Sequence, residues 1–365
     1  MKKLNLFSPI SNLGYGIVGL NILKSLSSKM EISLSLIGGL EGTQSDVELA
    51  QEAIERASLF NNFHKAPCLK IWHEFALAER IGSGPLFAFP FFEINQFDQR
   101  RINHLKSVDG IMVASQWAKN VIKEHLDVPP ALVSVIPLGV DSTIFSPGPH
   151  KVTDKCVFFN CGKWEKRKGH DVLLEMFRAA FPTETDVELW MMSSNPFLSA
   201  ETGFLKVRQE WERYYKSDPR VKLIDRVATH GEVAHIMSAT NCGVFPSRAE
   251  GWNLELLEMM AMGKHVITTN YSAHTEFCDD NNARLIEINT LEKAEDGLFF
   301  DGSSGEWASL EGKPFTQAVE HIRKFYESWK SNPNQYNKEG VDTAKRLSWT
   351  RTANHIEEII YGNQS

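Results

Sequence analysis

The sequence lacks any excess of positive charge: 39 lysines and arginines stand against 46 aspartates and glutamates, a formal net charge of −7. That balance argues against nucleic acid or an anionic membrane as the main partner, though it leaves a local basic patch open. Cysteine is sparse. Cys68, Cys156, Cys161, Cys242 and Cys278 are odd in number and never fall in C-x-x-C spacing. This fits reduced, mostly buried thiols and speaks against a disulfide framework or a zinc site. No run reaches the length of a transmembrane helix, and Ser8-Pro9 interrupts the short apolar piece at the N-terminus before it could serve as a signal segment. The expected location is the cytoplasm, with loose attachment to a membrane face still open. No D-x-D motif occurs, so a dedicated acidic metal clamp is not apparent. Low-complexity tracts and short-period repeats are missing as well.

What is present is an ordinary globular composition, 42% hydrophobic and 23% charged over 365 residues, comfortable for two domains. Short apolar runs alternate with helix-like segments. Strand candidates are 4–7, 32–37, 68–72, 85–92, 110–114 and 134–136, then 157–160, 187–192, 221–224, 242–245 and 266–268. Such alternation predicts an α/β architecture of parallel sheets covered by helices on both faces. Between the two series, residues 140–155 carry Asp141, Pro147, Gly148 and Pro149 with little periodicity and read as a linker. The expected division is residues 1–145 as an N-terminal Rossmann-like domain, 146–342 as a second one, and 343–365 as a C-terminal helix crossing back to the first.

The most informative stretch runs from Val244 to Ile267. An apolar run ends at Phe245-Pro246-Ser247, a loop Arg248–Trp252 follows, and a helix-forming run, Asn253–Met262, stops at Gly263 before a second strand. A helix N-terminus at a strand end favours anions. Two glutamates lie on this stretch, Glu250 in the loop and Glu258 inside the helix. A carboxylate beside an anion site points to a ligand that also has hydroxyl groups.

Near the start, Gly14-Tyr15-Gly16-Ile17-Val18-Gly19 fits the dinucleotide pattern G-x-G-x-x-G, with Glu41 22 residues beyond the last glycine. The segment Ser8–Leu13 separates this motif from the first strand, where a dinucleotide turn would follow tightly. A loop approaching phosphate or substrate is the preferred reading, ahead of a turn that merely needs glycine and of NAD binding.

The second half resembles the retaining glycosyltransferases of the GT-B fold, most closely glycosyltransferase family 4. The residues that carry the resemblance are Gly162-Lys163, then Lys168-Gly169; Pro246-Ser247, Glu250-Gly251-Trp252-Asn253-Leu254 and Glu258; and Ala261-Met262-Gly263-Lys264-His265-Val266-Ile267. Ile136–Asp141, Val113–Ala118 and Leu347-Ser348-Trp349 resemble further family segments. Departures are Lys163 for the usual Arg, Asn253 for a common Gly, and His265 for the usual Pro. Lysine keeps the charge but loses the planar fork that grips phosphate at two points.

The resemblance implies two facing Rossmann-like domains with a cleft between them, and retaining, metal-independent transfer of a sugar, hexose being the expected type, from a nucleoside-diphosphate sugar of UDP or GDP type to an acceptor hydroxyl. No cofactor is implied. Lys163, Lys168 and the helix start would meet the diphosphate, the amides of Gly251, Trp252, Asn253 and Leu254 the sugar or phosphate, Glu258 the ribose hydroxyls, and Glu250 the donor sugar. In the first domain, Gly16 would present its amide to the diphosphate and His73 would lie near the transferred sugar or the acceptor. Glu74 and Glu93 are weaker acceptor-side candidates, and Arg226-Val227-Ala228 a candidate for the base. Acceptors consistent with this reading are a polysaccharide, a lipid-linked glycan, a small metabolite or a modified nucleic-acid base, the last disfavoured by charge. Competing readings are a GT-B-like epimerase or phosphorylase, an NAD oxidoreductase, and a non-catalytic sugar-nucleotide-binding protein.

Overall fold

The structure, a computed structural model, describes all residues except 1, 59, 128, 130–131, 149–153 and 363–365. Residues 149–153 of the expected linker therefore lie outside the described residues. The chain divides into two units, Met1–Asp141 with Leu347–Ser365, and Ser142–Arg346.

The first unit holds a parallel sheet of β1 (Lys3–Ile10), β2 (Glu31–Leu40), β3 (Cys68–Lys70), β4 (Leu86–Ala88), β5 (Gly110–Val113) and β6 (Val133–Val135), in the order β2-β1-β3-β4-β5-β6. The central strands are buried almost throughout, as expected where helices cover both faces. Helix starts follow their sequence signals. Thr43 and Asp46 form a capping box for the helix Gln44–Ala57, and Ser115 caps Gln116–His125. The last helix, Trp349–Tyr361, is capped by Ser348 and belongs to this unit: Thr352 Oγ1 donates to Pro137 O at 2.8 Å, and the Val140 amide donates to Leu347 O at 3.0 Å. Glu357 takes both Lys2 and Lys29 as ion partners.

One premise of the sequence reading changes. β1 continues to Ile10 and the next helix already begins at Gly14, so the intervening loop is shorter than the segment Ser8–Leu13. This tightness is why Gly16 is glycine: a Cβ there would sit 2.3 Å from the Ser11 amide nitrogen.

The second unit is built on β7 (Cys156–Cys161), β8 (Val187–Met192), β9 (Val221–Leu223), β10 (Cys242–Phe245), β11 (His265–Thr269) and β12 (Arg284–Ile286), in the order β12-β11-β10-β7-β8-β9. All pairs are parallel. Counted within the unit this is the doubly wound order 3-2-1-4-5-6 read from the far edge, with the reversal between β7 and β10. β7 and β10 are buried along their whole length and, Asn160 apart, carry no polar side chain but cysteine thiols. Their faces feed a core of Phe158, Phe177, Phe181, Leu189, Val244 and Phe325.

An antiparallel hairpin of β13 (Leu291–Glu295) and β14 (Asp301–Ala308) completes the unit. Sequence patterning gave no sign of it, because Leu-Glu-Lys-Ala-Glu is charged and poor in strand-forming residues. The helix His230–Ser238 and strand β12 also escaped the patterning. The helix Leu205–Lys216 lies between β8 and β9.

Candidate active site

In doubly wound sheets, ligands bind beyond the carboxyl ends of the strands where the strand order reverses. In the second unit that position is flanked by the loops after β7 and β10. These are the loops that carry Lys163–Gly169 and Pro246–Asn253. Asn160, at the end of β7, ties them together. Its Nδ2 donates to Val244 O at 2.7 Å, and its Oδ1 lies 2.9 Å from His170 Nε2. The Glu165 amide donates to His170 Nδ1 at 3.2 Å, so the ring proton sits on Nε2. Gly169, at φ +73°, brings the loops into contact, and a Cβ there would meet Pro246 O at 2.2 Å. The Lys-Gly pair of the motif thus has a backbone reason for its glycine.

A buried ion cluster fills the junction. Glu250 is 4% exposed and accepts from Lys168 Nζ at 3.0 Å, Arg167 NH1 at 2.8 Å and Ser247 Oγ at 2.8 Å. Arg167 also bonds Glu165 at 2.5 Å, and Glu165 in turn holds Lys163 at 2.8 Å. Burial alone would raise the Glu250 pKa, but Arg167, Lys168 and His274 outweigh it and hold this carboxyl well below the usual range. Glu165 is likewise lowered to about 2, burial being overcome by Arg167, Lys163 and Lys168. Burial opposes the Lys168 charge, yet Glu250 and Glu255 more than restore it, and its pKa is raised.

Arg248 staples the two loops from outside. It bonds Lys166 O at 2.6 Å, Asp171 through two nitrogens at 2.6 and 2.9 Å, and Glu292 of the hairpin at 2.6 Å. Arg167, Glu165, Arg248 and His170 were not singled out from sequence. The signal available was the density of charge in 163–171 directly after the largely apolar strand β7.

Glu258 behaves differently. It is 8% exposed, on the helix Leu254–Ala261, and its carboxyl makes no hydrogen bond or ion pair among the described residues. Burial, then the nearby Glu255, push its pKa well up. Asn253 caps this helix from a left-handed conformation, φ +83° and ψ +79°, its side chain accepting from the Leu256 amide at 3.2 Å. The glycine common in the resembling family is replaced by the residue that next best tolerates that geometry. Gly251, Trp252 and Leu254 are buried around it, and Trp252 packs on Phe277 with ring centres 4.7 Å apart. Lys163 is the most exposed of the cluster's cations, its ammonium 5.4 Å from the Phe197 ring centre.

In the first unit the order reverses between β1 and β3. Gly16 lies just after β1 and is buried in the first turn of its helix. His73 follows β3 in a cluster of half-buried rings: Tyr15 at 4.8 Å, Trp72 at 4.9 Å and, stacked, Phe75 at 5.0 Å. Glu74 is buried and bonded to Arg101 at 2.8 Å. Burial raises its pKa, with Arg101 opposing.

Residues 155–298 match the family model described as glycosyl transferases group 1. Among curated proteins, the chain is 22% identical over 281 residues to a D-inositol 3-phosphate glycosyltransferase of Corynebacterium kroppenstedtii, covering 72% of this chain and 56% of the relative. It is also 22% identical over 204 residues to one of the subunits of the human phosphatidylinositol N-acetylglucosaminyltransferase, covering 55% and 39%. The chain thus spans about half the length of the curated relatives it matches, or less. Among solved structures, sucrose-phosphate synthase from Thermosynechococcus elongatus superposes with a TM-score of 0.69 at 14% identity, covering 100% of this chain and 99% of the other. The Anabaena protein Alr3699/HepE, solved with UDP and glucose, gives 0.69 at 15%, covering 98% of each. Residues 155–298 are thus similar to the group 1 glycosyl transferases, and the chain shares the GT-B fold of these solved structures.

Proposed function

We propose that the protein transfers a sugar, with retention at the anomeric carbon, from a nucleoside-diphosphate sugar to a hydroxyl of a glycan or other glycoconjugate. The observation that carries this reading is the pairing, at one strand-order reversal, of a charged cluster centred on Glu250 with the unbonded carboxyl of Glu258. A diphosphate calls for fixed positive charge, and Lys163, Lys168 and the amides at the helix start supply it. With no D-x-D motif in the sequence, these groups take the part a metal clamp would otherwise have. Glu258 suits the ribose: a neutral or charged carboxyl there accepts or exchanges hydrogen bonds with two hydroxyls. Glu250, kept ionised by its partners, holds Lys168 in place and presents a negative charge toward an oxocarbenium-like centre.

The leaving phosphate takes the acceptor proton in this scheme, so no strong protein base is required. His73 is assigned to the transferred sugar or the acceptor, and the Gly16 amide to the diphosphate. The half-buried rings around His73, with Glu74 and Glu93 nearby, suit a hydroxyl-rich acceptor. The UDP-glucose complex of Anabaena HepE supports a UDP-type donor. A thermal-shift panel over UDP-, GDP-, ADP- and CMP-sugars tests the reading. One donor raises the melting temperature, and product NMR shows the donor's anomeric configuration retained. A flat panel, or an inverted product, would refute it.

A further inference from the structure

Building on the proposed donor site, we infer that His274 is a positioning residue that fixes Asn253, and through it the start of the helix bearing Glu258. His274 is wholly buried in the loop after β11. Its Nε2 lies 2.9 Å from Asn253 Nδ2. The Asn253 oxygen is already committed to the Leu256 amide, so the group facing His274 is the NH2, a donor, and Nε2 must accept.

The other side of the ring gives the same answer independently. Nδ1 is 2.9 Å from Thr268 Oγ1, 3.2 Å from Thr269 Oγ1 and 3.1 Å from Thr269 O. Thr268 spends its hydroxyl proton on Phe245 O at 3.1 Å, and Thr269 spends its own on Ser247 O at 2.6 Å. All three oxygens around Nδ1 are therefore acceptors, and the ring proton resides there. His274 is locked as the neutral Nδ1–H tautomer, with its free lone pair aimed at Asn253.

The neighbouring residues complete a template. Ser272, itself at φ +54°, accepts from the Glu250 amide at 2.8 Å, and the Ala273 amide donates to Glu250 O at 3.3 Å. The segment Ser272–His274 thus grips both ends of the Glu250–Asn253 loop. An asparagine at positive φ is strained relative to glycine, and a fixed side-chain partner offsets that strain. Asn253 in place of glycine and His274 opposite it form one device.

The test is a double-mutant cycle with His274→Leu and Asn253→Gly. Losing the acceptor leaves Asn253 Nδ2 unbonded, so His274→Leu raises the donor KM by about tenfold. Glycine adopts the same backbone without a clamp, so in the Asn253→Gly background the same change moves the donor KM by less than about threefold. A role confined to core packing gives equal losses in both backgrounds, and that result overturns the proposal. His274→Gln, whose amide oxygen can accept from Asn253, restores the donor KM if His274→Leu folds poorly. Long-range 1H–15N spectra of the wild type show the Nδ1–H tautomer; an Nε2–H tautomer overturns the pairing. This last readout needs no turnover, so a protein inert toward every donor would refute the function while the spectra still decide the pairing.

Discussion

Lys168 Nζ and Glu250 Oε1 lie 3.0 Å apart, both side chains buried, and Arg167 closes on the other oxygen of the same carboxylate at 2.8 Å. One anion thus neutralises two buried cations. Glu250→Ala strands Lys168 and leaves Arg167 with Glu165 alone, and breaking such a buried pair costs about 3–5 kcal/mol. Lys168→Met leaves Glu250 with Arg167 and Ser247 and costs less. Urea unfolding of the two variants should rank them in that order, while both lose transferase activity.

Glu258 predicts the opposite combination. Its carboxyl is buried without a partner among the described residues and its pKa is pushed up, so it is a site held for something other than stability. Glu258→Gln should leave the unfolding free energy within about 1 kcal/mol of wild type, or raise it. Donor affinity by calorimetry should fall by about tenfold or more, since an amide has one accepting oxygen where a carboxylate has two. A large loss of stability with donor affinity intact contradicts this role.

His170 should imprint on the acid limb of the stability curve. Burial, then Lys168, lower its pKa from the ordinary 6.5 to about 3. Below the ordinary value the unfolded chain binds a proton that the folded chain refuses, so this residue makes stability fall as pH drops from 6.5 toward 3. The slope it contributes is about 1.4 kcal/mol per pH unit. In His170→Gln that component disappears, and the plots of unfolding free energy against pH should converge toward acid. Parallel plots would remove the claim.

The glycines of the dinucleotide-like motif should separate cleanly. A Cβ on Gly14 meets nothing within 4 Å, whereas one on Gly16 would lie 2.3 Å from the Ser11 backbone and one on Gly19 2.4 Å from Pro9 O. Gly14→Ala should be neutral or slightly stabilising in melting temperature. Gly16→Ala and Gly19→Ala should cost about 1–3 kcal/mol or more through overpacking.

Legibility in the sequence followed burial. β7 and β10 are buried runs broken only by Asn160, and the loops after them could be named because parallel strands announce their ends abruptly. Glu250 and Glu258 stood out by residue type and spacing, and Lys163 and Lys168 through the family resemblance. Arg167 and Arg248 were not, because their work is done by partners distant in sequence: Arg167 on Glu250, Arg248 on Asp171 and Glu292. His274 was equally hidden, since a histidine shows its tautomer only through the groups around it. The hairpin β13–β14 is held by Arg248 and by the buried Trp307 more than by its own strand propensity.

The helix Trp349–Tyr361 packs with the first unit, and Val140 joins Leu347 by hydrogen bond and Ser348 by a parallel bridge. In order of synthesis this makes Ser142–Arg346 an insertion within a unit whose last piece is made after it. During translation the second unit has its full sequence first and can fold as a block. The unit begun at Lys3 must wait, with the face of the helix Gly14–Ser27 that takes Trp349–Tyr361 uncovered, until that helix leaves the ribosome.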